Sequence, residues 1–243
     1  MVTGAARRVG REIALVLARG GCDVLFTYNQ SGTEAESLAR ELSELGATGT
    51  FFQVDLSDSE ALQSFASGLA QTLPRLDILV HNASAYGPSP LAELSEEEVL
   101  RHFRVNAVAP LMLTARLAPL LSQSSMNGGG VVIAMADIHS MGRPRKGFAA
   151  YSMSKAALAE MILTLARDLA PHVRVNGVAP GVVAWPEEGY ESDEEAQRKY
   201  LKRIPLGRAG TPHDAAEAVR WLALEATYVT GEVIRVDGGR WLT

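Results

Sequence analysis

The segment Thr3-Gly4-Ala5-Ala6-Arg7-Arg8-Val9-Gly10, between a short apolar start and a helical pattern, decides the fold of this sequence. Gly4 can adopt a tight turn with positive φ, and Gly10 lets a helix pack close to a sheet. Backbone N–H groups at the start of that helix can then face a phosphate group, helped by the helix dipole. The spacing does not match G-x-G-x-x-G, so a plain strand-to-helix turn remains the alternative. Only Met1 and Val2 precede the turn, and the first strand is therefore predicted to be truncated.

Short apolar runs alternate with longer helical stretches along the rest of the chain. The predicted strands are Asp23–Tyr28, Thr50–Val54, Asp77–His81, Gly130–Met135, Arg174–Ala179 and Val233–Val236. The predicted helices are Val9–Arg19, Thr33–Leu45, Ser57–Leu73, Glu96–Ser122, Tyr151–Leu169 and Asp214–Leu224, with a kink or a division at Pro110. Val- and Ile-rich strands of nearly continuous hydrophobicity are typical of a parallel sheet covered on both faces. The sequence therefore predicts an α/β fold: a single domain over residues 1–243, with a doubly wound, Rossmann-type parallel sheet and helices on both faces.

Composition excludes several classes of protein. The 243 residues include 23 Lys and Arg against 28 Asp and Glu, a net charge of −5, which gives no electrostatic footprint for nucleic acid. The single cysteine, Cys22, excludes an internal disulfide framework, and the five histidines lack metal-binding spacing. No apolar run approaches the roughly 18–20 residues that a membrane span needs. We therefore expect a cytoplasmic protein with no metal site and no nucleic-acid or membrane partner.

The end of the second predicted strand bears on which cofactor a phosphate turn would hold. In dinucleotide-binding folds an Asp or Glu at this point holds the ribose 2′-hydroxyl of NAD and repels a 2′-phosphate. Here the run Phe26-Thr27-Tyr28-Asn29-Gln30-Ser31 contains no acid, and the next acid is Glu34. Ser31 can donate to a phosphate, and Arg8 can neutralise its charge. The sequence thus favours NADPH/NADP+ over NADH, although Arg8 is equally well explained as an exposed cation at a helix start.

A tyrosine and a lysine four residues apart suggest a proton-handling pair. The run Tyr151-Ser152-Met153-Ser154-Lys155 opens a predicted helix, and residues four apart share one helix face. A nearby ammonium lowers the pKa of a phenol below its usual value of about 10, which would make Tyr151 a useful proton donor. Such a pair is common by chance, so its meaning depends on the rest of the chain.

Further polar and glycine-containing positions follow the predicted strand ends in a fixed order. They are Asp55, the run His81-Asn82-Ala83-Ser84, Asn106, Tyr151 with Lys155, and Pro180-Gly181. With the glycine turn, this ordered set resembles the short-chain dehydrogenase/reductase superfamily over essentially the whole chain. The resemblance implies cofactor contacts from Gly4, Arg8, Val9, Gly10, Ser31, Asp55, Leu56, Asn82, Ala83, Ser84, Lys155, Pro180 and Gly181. It also implies that Asn106, Tyr151 and Lys155 handle the proton, whereas His81 is interpreted as a packing residue.

One position departs from the superfamily and indicates a subgroup. The superfamily usually places a carbonyl-orienting serine shortly before the tyrosine, where this chain has Ala136-Asp137-Ile138-His139. A carboxylate cannot donate to a carbonyl oxygen unless it is protonated, and its charge opposes a developing oxyanion. It suits a nitrogen heterocycle, whose ring N–H and amino groups are donors, and it could pass a proton to Tyr151. Ser140, deeper in the loop, is the rival candidate for the missing serine.

An acid at this position, together with Arg8 in the glycine turn, resembles the bacterial pteridine reductases of the superfamily. In that group an aromatic residue shortly after the Asn-Ala-Ser run stacks on the pteridine, and Tyr86 matches it. The implied catalytic residues are Asn106, Asp137, Tyr151 and Lys155, and the implied substrate contacts are Ser84, Tyr86, Asp137, Tyr151 and Trp185. The resemblance implies hydride transfer from NADPH to a C=N bond of a pteridine or folate, with a substrate lid over residues 184–210, in a homotetramer.

Two other functions remain open. A carbonyl reductase, for example one acting on 3-oxoacyl carrier protein, would resemble the chain equally well, and Arg143, Arg145 and Lys146 could attract an acidic carrier. The same three cations could instead contact the glutamate tail of a folate. Asp137 and the acidic residues after Trp185 argue against an acidic carrier. The other alternative is a regulator that binds NADP without turnover, against which the intact proton-handling residues argue.

Overall fold

The computed structural model describes residues 1–143, 145–186 and 192–243. The strands in these residues are β1 (Val24–Tyr28), β2 (Gly49–Gln53), β3 (Ile78–His81), β4 (Gly130–Met135), β5 (Val173–Pro180) and β6 (Val233–Val236). The helices are α1 (Arg8–Arg19), α2 (Gly32–Glu44), α3 (Ser59–Thr72), α4 (Glu96–Phe103), α5 (Ala109–Leu121), α6 (Ala149–Asp168), α7 (Glu194–Leu201) and α8 (Pro212–Leu224). Every predicted strand overlaps an observed one, which confirms the alternating pattern.

The strand pairs are parallel, and the residues around Val2 join them into one sheet. Val2 bridges Phe26 of β1 and Val80 of β3, and the other neighbours follow the orders β1–β2 and β3–β4–β5–β6. The Val2 N–H donates to the Leu25 carbonyl at 2.9 Å, and the Val80 N–H donates to the Met1 carbonyl at 2.8 Å. The sheet order is thus β2–β1–Val2–β3–β4–β5–β6, with Val2 in the place of the predicted truncated strand. This doubly wound arrangement confirms the predicted fold class.

Helices cover both faces of the sheet, as predicted. On one face α1, α2 and α8 pack over a core that includes the fully buried Ile13, Leu38 and Val219. On the other face α3, α5 and α6 pack over a second core that includes Leu117 and Ile162. The central strands β3 and β4 are buried along their whole length, whereas the edge strand β2 is largely exposed. Burial on both faces explains why the central strands are apolar without alternation.

The long helix predicted over Glu96–Ser122 is divided into two. A π-helical turn at Arg104–Val108 separates α4 from α5, and in such a turn each hydrogen bond reaches one residue further than in an α-helix. Pro110 lies in the first turn of α5, where a missing N–H costs little. The predicted division is therefore confirmed, and it places Asn106 inside the π turn.

The predicted lid, residues 184–210, contains two described parts. Residues 187–191 lie outside the described residues. In the second part, α7 begins after Asp193, whose carboxylate accepts a backbone N–H of the first turn at 2.8 Å. Trp185 and Tyr200, one from each part, place their rings edge to face with centroids 5.6 Å apart. The two described parts are thus in contact through aromatic side chains.

Candidate active site

The glycine turn has the compact geometry that the sequence predicted. Gly4 has a φ of 63°, and a Cβ there would lie 2.9 Å from the Cβ of Ala83. Gly10 lies in the first turn of α1, and a Cβ there would lie 2.6 Å from the Gly4 carbonyl oxygen and would overlap the Asn82 amide. Both glycines are therefore required by sterics. The turn leaves a concave surface at the start of α1, where a helix N-terminus favours an anion.

Thr3 and Asn82 hold the glycine turn against the end of β3. The Thr3 hydroxyl oxygen accepts the backbone N–H of Asn82 at 3.0 Å and that of Ala83 at 3.1 Å. The Asn82 side-chain amide donates to the carbonyls of Thr3 and Gly4, both at 3.0 Å. Sequence reasoning assigned Asn82 and Ala83 to the site but missed Thr3. Its place directly before Gly4 is the signal that could have identified it.

A cavity of about 730 Å³ lies at the carboxyl edge of the sheet, beside this turn. Most of the predicted site residues line it: Gly4, Arg8, Val9, Gly10, Asp55, Leu56, Asn82, Ala83, Ser84, Tyr86, Asp137, Pro180, Gly181 and Trp185. The other predicted residues, which are outside this lining, are Ser31, Asn106, Tyr151 and Lys155. Doubly wound sheets bind ligands at this edge, and a cavity of this volume suits a small molecule.

The two arginines of the turn point to different sides of the cavity. Arg8 has a left-handed φ of 53°, and its Nη2 donates to the Trp185 carbonyl at 3.0 Å, on the lid side. Arg7 lines the cavity, and its Nε lies 3.9 Å from the carboxylate of Glu34 in α2, the helix that follows β1. The sequence assigns the phosphate-neutralising cation to Arg8; because Arg7 lies beside α2 and also lines the cavity, Arg7 is a second candidate for that role. Ser31 precedes α2 outside the cavity lining, so its predicted phosphate contact gains no support.

Asp55 lies in the cavity wall after β2, next to Leu56. Its carboxylate accepts the Ser57 hydroxyl at 2.7 Å and the Ser57 backbone N–H at 2.8 Å. These hydrogen bonds, the hydroxyl first, hold the pKa of Asp55 below its ordinary value. A short turn thus fixes an ionised carboxylate at a position where the family resemblance implies a cofactor contact.

Tyr151 and Asp137 meet at the inner side of the cavity. The buried Tyr151 hydroxyl donates to Oδ2 of Asp137 at 2.7 Å, while Oδ1 of Asp137 accepts the backbone N–H of His139 at 2.7 Å. Burial, followed by the charge and the hydrogen bond of Asp137, raises the pKa of Tyr151 well above its ordinary value. The phenol is therefore protonated at neutral pH and is joined to a carboxylate that lines the cavity.

Lys155 is buried one helical turn further along α6. Its Nζ donates to the Met135 carbonyl at 2.7 Å, at the end of β4. Burial lowers the pKa of Lys155 to about 8, and the charge of Asp137 partly opposes this shift. The prediction that Lys155 lowers the pKa of Tyr151 is wrong for this arrangement. The contacting charge of Asp137 and the burial of the phenol both act in the other direction.

Asn106 is fully buried and joins three segments of the chain. Its Oδ1 accepts the Ala85 N–H at 2.8 Å and the Ser84 hydroxyl at 3.1 Å. Its Nδ2 donates to the Ala85 carbonyl and to the Ser154 hydroxyl, both at 2.9 Å. These bonds connect the π turn to the segment after β3 and to α6, rather than to the predicted proton-handling pair. The contacts of Asn106 therefore position the cavity wall.

Aromatic rings surround Tyr151. The Tyr86 ring, 41% exposed, stands edge to face with the Tyr151 ring at a centroid distance of 4.9 Å. The Phe148 ring lies 5.5 Å from that of Tyr86. Nη1 of Arg145 donates to the Tyr86 hydroxyl at 2.5 Å, and its guanidinium carbon lies 3.8 Å from the Phe148 ring centroid. Tyr86 thus lines the cavity directly beside the buried phenol, where the sequence predicts a stacking residue.

The described residues include no metal-binding cluster: within 1–143, 145–186 and 192–243, no three His, Cys, Asp or Glu are arranged to hold an ion. His81 is fully buried, and its Nε2 pairs with the Thr114 hydroxyl at 2.7 Å. Burial lowers the pKa of His81 to about 3, which agrees with its interpretation as a packing residue. In the same described part of the chain, no helix has the length and apolar character needed to cross a bilayer.

The donor set and the shape of the cavity fit a dinucleotide. The absence of a Cβ at Gly4 and Gly10 lets the turn pack directly against Asn82 and Ala83, and the turn places the N-terminus of α1 in the cavity wall, where it favours an anion. At the Asp137 side of the cavity, the protonated phenol of Tyr151 donates to the lining carboxylate. The buried ammonium of Lys155 donates to the Met135 carbonyl at the end of the neighbouring β4. This combination defines the site of a dinucleotide-dependent oxidoreductase.

Comparisons with known proteins identify the family. A family model described as enoyl-(acyl carrier protein) reductase matches residues 4–240. The chain is 34% identical to the short chain dehydrogenase/reductase astE of Aspergillus oryzae, over 98% of this chain and 93% of that protein. It is 31% identical to the 3-oxoacyl-(acyl-carrier-protein) reductase FabG of Thermotoga maritima, over 98% and 96%. The crystal structure of acetoin dehydrogenase YohF from Salmonella typhimurium gives a TM-score of 0.87 at 31% identity, covering 100% of this chain and 95% of that one. The chain belongs to the short-chain dehydrogenase/reductase superfamily.

Family membership confirms the coarser predictions and leaves the finer ones open. The protein is an oxidoreductase family member with the Rossmann-type fold, and the family typically uses NAD(H) or NADP(H). Two of the similar proteins are named for 3-oxoacyl groups and for acetoin, and none of the three is named for a pteridine. The comparisons thus favour the carbonyl alternative over the pteridine prediction. NADPH, the homotetramer and the cytoplasmic location stay predictions.

Proposed function

We propose that the protein is an NADPH-dependent reductase that acts on a C=N bond of a dihydropteridine or a folate. The observation that carries this proposal is the 2.7 Å hydrogen bond from the Tyr151 hydroxyl to the Asp137 carboxylate. A carbonyl substrate needs hydrogen-bond donors around its oxygen, and a carboxylate beside the tyrosine opposes the oxyanion that develops there. The same carboxylate accepts hydrogen bonds from the N–H and amino groups of a nitrogen heterocycle.

The cavity walls suit a flat ring held at Asp137. Tyr86 exposes an aromatic surface next to Tyr151, and a planar heterocycle can lie against it while its N–H groups reach the carboxylate. Ser84 and Trp185 line the same space and would complete the predicted substrate contacts. Aromatic stacking and a two-point hydrogen bond fix both the plane and the rotation of a ring, and such orientation lowers the barrier of the chemical step.

The chain's own residues supply the proton and the binding surfaces. Gly4 and Gly10 would hold the pyrophosphate of the cofactor, with Asn82 keeping their turn in place. When bound, the cofactor supplies the hydride from its reduced nicotinamide. Tyr151 is protonated at neutral pH and can deliver its proton to the ring nitrogen next to the carbon that is reduced. Asp137 contacts both the Tyr151 hydroxyl and the cavity, so it gives a path by which the phenol regains a proton.

NADPH is favoured over NADH by the charges beside β1. The strand end carries Tyr28 and Asn29 in the cavity wall rather than an acid, so a ribose 2′-hydroxyl lacks the carboxylate partner that NAD sites provide. Arg7 lies in the same wall and can pair with a 2′-phosphate. Glu34, 3.9 Å from Arg7, reduces this effect without removing it, because a phosphate dianion competes well for a guanidinium.

A second candidate is a reductase of carbonyl groups, which the names of the similar proteins support. It would require Asp137 to be protonated or turned away from the substrate, so that the Tyr151 hydroxyl is left to donate to the carbonyl oxygen. The discriminating experiment compares dihydrobiopterin and dihydrofolate with acetoacetyl thioesters and acetoin, each with NADPH, by steady-state kinetics. The pteridine proposal expects turnover of the first pair at the higher kcat/KM.

The variant Asp137→Ser tests the same point from the side of the protein. We expect it to lower kcat/KM for dihydrobiopterin by about a hundredfold, with the NADPH dissociation constant changed less than about twofold. Asp168→Ser, an exposed position in the last turn of α6, is the matched control and should leave both quantities as in the parent. If Asp137→Ser reduces dihydrobiopterin as well as the parent does, the proposed role of the carboxylate is wrong. Substrate-dependent NADPH oxidation would also dismiss a non-catalytic regulator.

A further inference from the structure

Arg143 joins the loop after Asp137 to the end of the described chain. Its Nη1 donates to the carbonyls of Arg240 and Trp241, both at 2.6 Å. These two residues belong to a short 3₁₀ turn, Arg240–Leu242. Among the described residues that line the cavity, Arg145 is present and Arg143 is not. The Arg143 guanidinium is therefore turned towards the carbonyls of the 3₁₀ turn, whereas the attraction of a charged substrate by Arg143 stays a prediction.

His139 continues the connection from Arg143 to Asp137. Nδ1 of His139 lies 3.1 Å from the Arg143 carbonyl oxygen, and since a carbonyl can only accept, Nδ1 is the protonated ring nitrogen in this pair. The backbone N–H of His139 donates to Oδ1 of Asp137 at 2.7 Å. Burial holds the pKa of His139 below its ordinary value. The hydrogen bonds thus run from the 3₁₀ turn through Arg143 and His139 to the carboxylate that binds Tyr151.

Apolar contacts support the same connection. Ala136, Ile138 and Ala179 form a small buried cluster, and the partly buried Met141 and Trp241 pack against it. The residues on both sides of Asp137 therefore rest on the segment to which Arg143 is bonded. Between the 3₁₀ turn Ile138–Ser140 and α6 the described backbone forms no regular element, and Gly142 and Gly147 have positive φ values of 87° and 76°. Such a loop holds its shape through side-chain bonds more than through its own backbone.

We infer that Arg143 is a positioning residue for catalysis: by bonding the Arg240 and Trp241 carbonyls it fixes the His139–Asp137 segment, and so keeps the carboxylate on the Tyr151 hydroxyl. The role of Asp137 in turnover rests on the proposed function, whereas the tether itself does not. A guanidinium with two carbonyl partners loses both when the side chain is shortened or neutralised. An ammonium keeps the charge and enough donors to bond both carbonyls.

The kinetic test uses two variants of Arg143 and a control. Arg143→Gln is expected to lower kcat for dihydrobiopterin about tenfold, since a displaced carboxylate misorients the substrate, with a dissociation constant for NADPH within about twofold of the parent. Arg143→Lys is expected to retain most of the activity. Arg220→Gln is the matched control, because Arg220 bonds Glu217 and Glu225 around α8 and should leave kcat unchanged.

A double-mutant cycle separates positioning from general damage. In an Asp137→Asn background, Arg143→Gln should cause little further loss, because the group that it positions has already been altered. A loss in kcat of the same factor in both backgrounds, or no rescue by Arg143→Lys, would overturn the inference.

Amide hydrogen exchange at His139 provides a readout that needs no substrate. The His139 N–H is held by Asp137, so Arg143→Gln should raise its exchange rate at least about tenfold while amides in β4 keep their protection. If the parent fails to reduce pterins but the His139 amide responds in this way, the proposed substrate is wrong and the tether stands. If exchange at His139 is the same in parent, Arg143→Gln and Arg143→Lys, the tether does not exist.

Discussion

The two halves of the cavity, the cofactor side and the proposed substrate side, are formed by different kinds of groups. On the cofactor side, Gly4, Gly10, Thr3 and Asn82 form a surface of backbone groups and short side chains that lock one another in place. On the proposed substrate side, the cavity wall is formed by longer side chains, above all by Asp137, which accepts the Tyr151 hydroxyl. The first half can serve any reaction of a bound dinucleotide. The second half can change its substrate by exchanging a single side chain, which is how one fold supports many activities.

The largest effect is expected on the substrate side, from removal of the phenol hydroxyl. Tyr151→Phe keeps the ring contacts with Tyr86 and removes the proton donor. We expect kcat to fall by about a thousandfold while NADPH binding, measured by fluorescence titration, stays close to that of the parent. A variant that keeps more than a tenth of the activity would mean that the proton comes from another group.

The second largest effect is expected on the cofactor side, from a single methyl group. In Gly10→Ala the new Cβ would meet the Gly4 carbonyl oxygen at 2.6 Å, and such overpacking costs about 1–3 kcal/mol. We expect NADPH affinity to fall about ten- to hundredfold.

Gly68→Ala in α3 is the control for this substitution, since a Cβ there meets nothing within 4 Å. It should leave NADPH affinity unchanged and stabilise the fold by about 0.5–1 kcal/mol. Isothermal titration and urea denaturation measure the two quantities. Unchanged NADPH affinity in Gly10→Ala would show that the glycine turn does not bind the pyrophosphate.

Lys155, buried in α6, gives a pH-dependent prediction. Burial lowers its pKa to about 8 from the ordinary value of 10.5, so between these values the unfolded chain binds a proton that the native chain has released. The free energy of unfolding should therefore rise with pH across this window. From about pH 7.5 to about pH 9.5 the contribution of Lys155 should grow by about 2 kcal/mol.

Lys155→Met removes this contribution while keeping a long apolar side chain. Urea denaturation of the parent and the variant at the two pH values gives the difference directly, because other titrating groups are shared. If the two proteins change in parallel, Lys155 titrates as an ordinary exposed lysine. That result would contradict its buried contact with the Met135 carbonyl.

The smallest effect is expected for cofactor preference. Arg7→Gln should reduce the ratio of kcat/KM for NADPH over NADH about tenfold, because one guanidinium–phosphate pair is removed. Arg8→Gln, whose parent side chain bonds the Trp185 carbonyl on the lid side, should change both cofactors alike. A larger change of the ratio in Arg8→Gln would show that Arg8, as predicted from the sequence, and not Arg7, pairs with the 2′-phosphate.

The fold was predictable because its signals are local. Each central strand is a short Val- and Ile-rich run, and such a run by itself indicates a strand that is buried on both faces. The ends of elements were less predictable: α3 was predicted from Ser57, but it begins at Ser59 with Asp58 as its cap, since Ser57 is already bonded to Asp55. The sequence alone does not show whether Ser57 caps the helix or bonds Asp55.

The site was predictable as a set of positions and less so as a set of interactions. The order of motifs along the chain indicated Asp137 and Tyr86, and both line the cavity. The direction of the Tyr151 pKa shift depends on burial and on its distance from Asp137. The different contacts of Arg7, beside Glu34, and Arg8, at the Trp185 carbonyl, likewise depend on the folded geometry. These arise from the packing of α6 and the lid, which no spacing in the sequence encodes.

The π turn at Arg104–Val108 corresponds to the insertion of one residue into an otherwise continuous α-helix. Removing that residue would let α4 run straight into α5, and everything on one side of the deletion would rotate by about a quarter turn. Asn106 would then face away from Ala85 and Ser154, which it now bonds. A deletion that makes the helix continuous is thus expected to break the hydrogen bonds of Asn106 and to open the cavity wall.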